Sequence, residues 1–151
     1  VEQIVYARQN GMSPPCIHMR FVGSPGTGKT TVARILGKML KEAGVLRNGG
    51  FVEIHGRDLC GQYVGHTAPR TESFVRDALG SVLFVDEAYS LFRQEDDGRD
   101  FGQEAIDTLI TCMENYRDDL VVIFAGYPDE MDRLMKANAG LASRMPYEIR
   151  S

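Results

Sequence analysis

The chain has 151 residues, enough for one well-packed domain and too few for two of ordinary size. Hydrophobic residues at 43%, charged residues at 25% and a net charge of −4 fit an ordinary globular domain and give no overall basic field that points to nucleic acid, with a local basic patch left open. No apolar run approaches the ~20 residues of a membrane-spanning helix, and the cysteines (Cys16, Cys60, Cys112) form no C-x-x-C pair, which argues against a zinc ribbon or disulfide framework and fits a reducing, cytoplasmic setting.

In chain order, Ile4, Val5 and Ala7 predict an amphipathic helix over residues 1–10, and a start at Val1 reads as a cut from a longer protein. The run H-M-R-F-V-G (18–23) predicts a strand that leads straight into a glycine-rich turn. Residues 30–44 carry Val32, Ile35, Leu36, Met39, Leu40 and Ala43 at helical spacing, with Gly44 as the stop signal. A more polar strand follows at 51–56, then a short helix over 71–79. V-L-F-V-D (82–86) and L-V-V-I-F-A-G (120–126) are continuously apolar, as central parallel strands covered on both faces must be. Between them lie a polar loop (93–100) and a helix (101–116). A helix over about 128–137 and a last strand, Y-E-I-R (147–150), close the chain. Strands alternating with helices predict an open α/β sheet.

G-S-P-G-T-G-K-T (23–30) satisfies the P-loop pattern G-x-x-x-x-G-K-[ST], with the strand before it and the helix after it that the pattern requires. Gly23, Ser24, Pro25, Gly26, Thr27, Gly28, Lys29, Thr30 and Thr31 are therefore candidate ligands of ATP or ADP. Glycines let successive N–H groups turn toward the phosphates, which sit at the positive end of the following helix. Lys29 supplies a point charge for the β- and γ-phosphates, and Thr30 a hydroxyl for Mg²⁺. Asp86, ending a buried strand, is placed to reach the metal, and Glu87 to polarise an attacking water. An Asp-Glu pair after a strand can also be a helix N-cap. No histidine suggests a metal site.

P-G-T-G-K-T-T-V-A-R followed by V-L-F-V-D-E-A-Y-S-L resembles an AAA+ ATPase. G-Q-Y-V-G-H-T-A-P, D-F-G-Q-E-A-I-D-T-L and V-I-F-A-G-Y-P-D-E-M are similar to the branch containing red-type Rubisco activase, stage V sporulation protein K and the type VII secretion ATPases. The resemblance implies a mainly parallel five-stranded P-loop NTPase sheet of order 5-1-4-3-2, and a chain (1–151, with the helix 1–10) that is the large α/β subdomain without its helical lid. It also implies a hexameric parent protein that threads or remodels a polypeptide at the cost of ATP.

In such rings an aromatic–hydrophobic–glycine loop faces the pore, and Tyr63, Val64 and Gly65 match it, with Gly61 and Gly65 as flanking hinges. Folding of Tyr63 into the local core is the alternative. The family's arginine finger maps to Arg144 in G-L-A-S-R-M, where Ala142 and Met145 depart from the family's arginine and phenylalanine; a structural ion pair is the alternative for Arg144. Tyr127 occupies the position where the family places a polar sensor, usually Asn or Thr. His55 and Arg57 are placed to restrain Glu87, or are ordinary polar residues at a strand end. Two further functional classes stay open, a nucleotide-dependent assembly module with marginal hydrolysis and a small-molecule kinase.

Overall fold

Val82 and Phe84 belong to one hydrophobic cluster and Leu83 and Val85 to another. The same alternation splits Val121, Ile123 and Ala125 from Leu120, Val122 and Phe124. A period of two with both phases apolar means that both faces of the sheet are covered. The computed structural model describes residues 18–23, 28–63, 65–91 and 101–150. The expected helix at 1–10, Cys16, Ser24–Thr27, Val64 and the polar loop at 93–100 lie outside the described residues.

Five strands form one sheet: β1 (Met19–Val22), β2 (Phe51–His55), β3 (Ser81–Asp86), β4 (Leu120–Gly126) and β5 (Tyr147–Arg150). Their order is β2-β3-β4-β1-β5 and all four pairings are parallel, the expected 5-1-4-3-2 arrangement read from the other edge. The helices are α1 (Lys29–Glu42), α2 (Thr67–Asp77), α3 (Phe101–Asn115), α4 (Pro128–Ala137) and α5 (Ala139–Arg144), with 3₁₀ turns at Gly56–Leu59 and Ala88–Leu91. Among the described helices, α1 covers one face of the sheet, and α2 to α5 contribute to the cluster on the other. Phe21, Phe84 and Phe124 are fully buried in these layers, and truncating such a side chain to alanine costs about 3–5 kcal/mol.

Three local outcomes depart from the sequence expectation. Helix α1 faces the sheet with Ala33, Leu36, Gly37 and Leu40, whereas Val32, Ile35 and Met39 are 44%, 52% and 46% exposed. Small residues let the helix settle onto β3, since a Cβ on Gly37 would stand 3.2 Å from Val82 Cγ2. Helix α2 starts at Thr67 rather than residue 71, with Pro69 inside its first turn, where a missing N–H costs nothing. The short α5 was not anticipated, and its Leu141, with Met145 just beyond it, is fully buried.

Two buried titratable groups have shifted pKa values. His18 is 2% exposed, and its Nδ1 accepts the Val122 N–H at 3.0 Å. Burial, and secondarily the positive charge of Arg144, lower its pKa from 6.5 to about 4, so the ring is neutral. Cys112 is packed in the core with its thiol pKa raised by burial, as expected of a packing cysteine.

Candidate functional site

Parallel pairing brings the carboxyl ends of β1, β3 and β4 to one edge of the sheet. Val22 pairs with Gly126 and Val85 with Phe124, and the Gly23 N–H extends the ladder to the Gly126 carbonyl at 3.1 Å. β4 lies between the other two strands, so the turns after β1 and β3 are about 10 Å apart. Ligands of open α/β sheets bind in this kind of crevice.

Gly28 stands at the N-cap of α1 with φ 79°, a left-handed conformation that glycine adopts at no steric cost. Among the described residues the α1 N-terminus has no side-chain cap, and its first turn has no acidic residue, so the positive end of the helix suits an anion. Lys29 Nζ donates to the Gly23 carbonyl at 2.9 Å, which ties the start of α1 to the end of β1. Thr30 is half-buried and Thr31 exposed on the same first turn.

Asp86 and Glu87 occupy the end of β3. Asp86 Oδ1 accepts the Glu87 N–H at 2.9 Å, which orients the carboxylate and leaves Oδ2 to another partner. A hydroxyl and a carboxylate are hard oxygen donors, and Mg²⁺ is held by one or two of these with water and phosphate oxygens completing the shell. Thr30 and Asp86 therefore fit the metal of a Mg·nucleotide. Glu87 is the one non-glycine residue with positive φ (49°) among the described residues. A non-glycine residue in that region costs about 1–3 kcal/mol and persists where its surroundings over-determine it. Here they do: Ser90 donates to the Glu87 carbonyl through both N (3.0 Å) and Oγ (2.8 Å). A 3₁₀ turn rather than an α-helix follows the pair, and Glu87 directly precedes it.

A sequence profile of the ATPase family associated with various cellular activities (AAA) matches residues 19–151. The chain belongs to the AAA family of ATPases. It is 50% identical over 149 residues to the plasmid protein CbxX of Cupriavidus necator, covering 99% of this chain and 47% of that one. It is 54% identical over 137 residues to the chloroplastic ribulose bisphosphate carboxylase/oxygenase activase of Cyanidioschyzon merolae, covering 91% and 46%. Protein CbbX of Cereibacter sphaeroides is 51% identical over 135 residues, covering 89% and 43%. These relatives match the branch expected from the motifs, and the chain spans about half the length of the curated relatives it matches. In fold it is similar to the AAA domain of FIGL-1 in complex with ADP, with TM-score 0.63 at 21% identity over 99% of this chain and 49% of that one.

Around this AAA core the remaining candidates occupy distinct places. Tyr127 sits at the end of β4 as the N-cap of α4, 47% exposed, with its carbonyl accepting the Met131 N–H. Arg144, at the end of α5, donates from Nε to Glu114 Oε1 of α3 at 2.9 Å and from NH1 to the Gly140 carbonyl at 3.0 Å. Tyr63 is 62% exposed rather than folded into the core. Gly65 has φ 86°, and a Cβ on Gly61 would stand 2.6 Å from that of His66. Gly61 is thus required by close approach and Gly65 by its backbone conformation, with open space around it.

Sequence reasoning left two positions unremarked. Ser90, three residues after Glu87, fixes the turn, and its spacing in D-E-A-Y-S was the available signal. Gly56 admits the 3₁₀ turn after β2 against that same turn, where a Cβ would meet Ser90 Oγ at 2.6 Å and the Glu87 carbonyl at 2.9 Å. No short-range pattern announces such a contact.

Proposed function

We propose that this chain binds Mg·ATP in the crevice after β1, β3 and β4, and that the parent protein hydrolyses it to remodel a polypeptide in a hexameric ring. Residues 1–151 act in this reading as one nucleotide-binding subdomain. The observation that carries it is Glu87, held in a left-handed conformation beside Asp86 at the carboxyl end of β3, with only β4 between that strand and β1.

Gly23 to Thr31 enclose the phosphates, and Lys29 exchanges the Gly23 carbonyl for phosphate oxygens. Thr30 and Asp86 hold the metal, whose charge offsets the negative charge of the triphosphate. Glu87 accepts a proton from the attacking water, with Tyr127 beside it at the end of β4. Tyr63, Val64 and Gly65 grip the polypeptide by apolar area, without reading its sequence. Arg144 of a neighbouring copy stabilises charge building on the γ-phosphate. One relative supports a protein substrate, since it is named a ribulose bisphosphate carboxylase/oxygenase activase, and nothing in the described residues selects that carboxylase in particular.

The test is Glu87→Gln. It retains Mg·ATP affinity and loses turnover by about 10²–10⁴-fold, the usual worth of a positioned general base. Full turnover in that variant would remove Glu87 from the chemistry. One observation favours the second reading, an assembly module with marginal hydrolysis: Arg144 is engaged on Glu114 within its own chain. Under that reading ATP promotes association of copies with a turnover near zero in both proteins.

A further inference from the structure

The loop between Gly61 and Thr67 is closed at its base. The Gly61 N–H donates to Thr67 Oγ1 at 2.9 Å, and Thr67 itself is fully buried. One step inward, Thr71 Oγ1 donates to the Leu59 carbonyl at 3.0 Å. Across the loop the His66 N–H donates to the Tyr63 carbonyl at 3.1 Å. Gly61 brings its backbone against His66 so closely that no side chain fits between them. The backbone therefore fixes Tyr63 and His66 as neighbours while the Tyr63 ring stays exposed.

His66 holds the N-cap position of α2, where Ser, Thr, Asp or Asn would satisfy a helix N–H and contribute about 1 kcal/mol. Its side chain makes no capping hydrogen bond. Instead the imidazole meets the Tyr63 ring with centroids 5.5 Å apart and planes at 81°. That is the edge-to-face geometry aromatic rings prefer.

We infer that His66 is a positioning residue for substrate grip: its imidazole braces the exposed Tyr63 ring so that the tyrosine projects as a pre-set wedge for a polypeptide. The inference rests on the reading of Tyr63 as the gripping residue. An exposed tyrosine alone samples several rotamers and loses them on binding. A ring already held in one of them binds with less entropy lost.

The chain has no tryptophan, so Tyr63→Trp places a single indole at the wedge. Time-resolved fluorescence anisotropy of the full chain then reads the ring's local motion directly. His66→Ala in that background increases the amplitude of the fast depolarisation about twofold, and His66→Phe, which keeps an aromatic ring, restores it. In the otherwise unaltered chain with Mg·ATP, the probe is fluorescein-labelled, reduced and carboxymethylated lactalbumin, a permanently unfolded polypeptide. Affinity for it falls about two- to tenfold in His66→Ala and recovers in His66→Phe. Unchanged indole motion in His66→Ala, or no recovery with His66→Phe, overturns the brace. Tyr63→Ala is the separate control. If it leaves probe binding intact the gripping reading fails, and the inference with it, whatever the anisotropy shows.

Discussion

His55 Nδ1 stands 3.7 Å from Glu87 Oε1, just beyond hydrogen-bond reach, and that nitrogen is buried with no hydrogen-bond partner among the described residues. Arg57 NH1 approaches the other oxygen, Oε2, at 3.9 Å. His55 ends β2 and Arg57 follows it, and β2 pairs with β3 so that His55 lies beside Asp86. A shift of a few tenths of an ångström toward His55 would make the missing hydrogen bond and turn the carboxylate toward β2. The imidazole and the guanidinium thus lie close enough to Glu87 for the restraint to be tested against the alternative, that they are ordinary polar residues at a strand end.

His55→Ala combined with Arg57→Ala releases that carboxylate. Basal ATP turnover is expected to rise about two- to fivefold, the range that exposed ion pairs of 0.2–1 kcal/mol permit. Stimulation by unfolded polypeptide is expected to shrink, because the restraint lies four residues from Gly61. Steady-state turnover with and without carboxymethylated lactalbumin checks both. A fall in basal turnover would mean that His55 and Arg57 assist Glu87 instead.

Gly56→Ala tests how closely the turn around Glu87 is packed. The added methyl meets the Ser90 hydroxyl at 2.6 Å and the Glu87 carbonyl at 2.9 Å, so the turn must move. Overpacking of this kind costs about 1–3 kcal/mol. The expected result is a lower melting temperature together with a fall in kcat, while affinity for ATP changes little because Gly28 and Lys29 lie on other elements. Unchanged kcat with reduced stability would show that Glu87 tolerates displacement.

His18 makes stability depend on pH. Its folded pKa of about 4 lies below the ordinary 6.5, so the unfolded chain binds the proton more readily. The stabilisation is complete above pH ~6.5 and is lost progressively as pH falls toward 4, amounting to about 3 kcal/mol at full extent. Urea unfolding at pH 7 and pH 4.5 measures it. His18→Asn keeps an acceptor for the Val122 N–H without the titration. That variant should show a shallower loss over the same interval; an identical slope would locate the proton uptake elsewhere.

The sheet was readable in the sequence because V-L-F-V-D and L-V-V-I-F-A-G are apolar at every position, a pattern that doubly covered strands require. The start of α1 at Gly28 and Lys29 was readable because the P-loop pattern requires a strand before it and a helix after it, and Asp86 and Glu87 were readable as the end of β3. What escaped depends on three-dimensional contact. The apolar arc of α1 is wider than the strip that meets the sheet, so periodicity could not tell Ile35 from Ala33. Gly56, Ser90 and the Tyr63–His66 contact join residues through a turn or a missing Cβ, and no local propensity encodes either.

The ion pair between Arg144 and Glu114 separates two uses of one arginine. Held on α3, Arg144 ties α5 to the core; released, it is a cation for a neighbouring copy's nucleotide. Glu114→Ala removes the tether and leaves the guanidinium. If Arg144 acts between subunits, ATP turnover per protein rises with protein concentration, stays at or above the original level in Glu114→Ala, and drops by about 10³-fold in Arg144→Ala, as arginine fingers do in related phosphoryl transfers. If the arginine is structural only, both variants lose the same ion pair, half-exposed on the glutamate side and worth ~1 kcal/mol or less. Their melting temperatures then fall together and their turnover stays matched. Turnover measured across a concentration series for the three proteins distinguishes these outcomes, since stability alone moves both variants in the same direction.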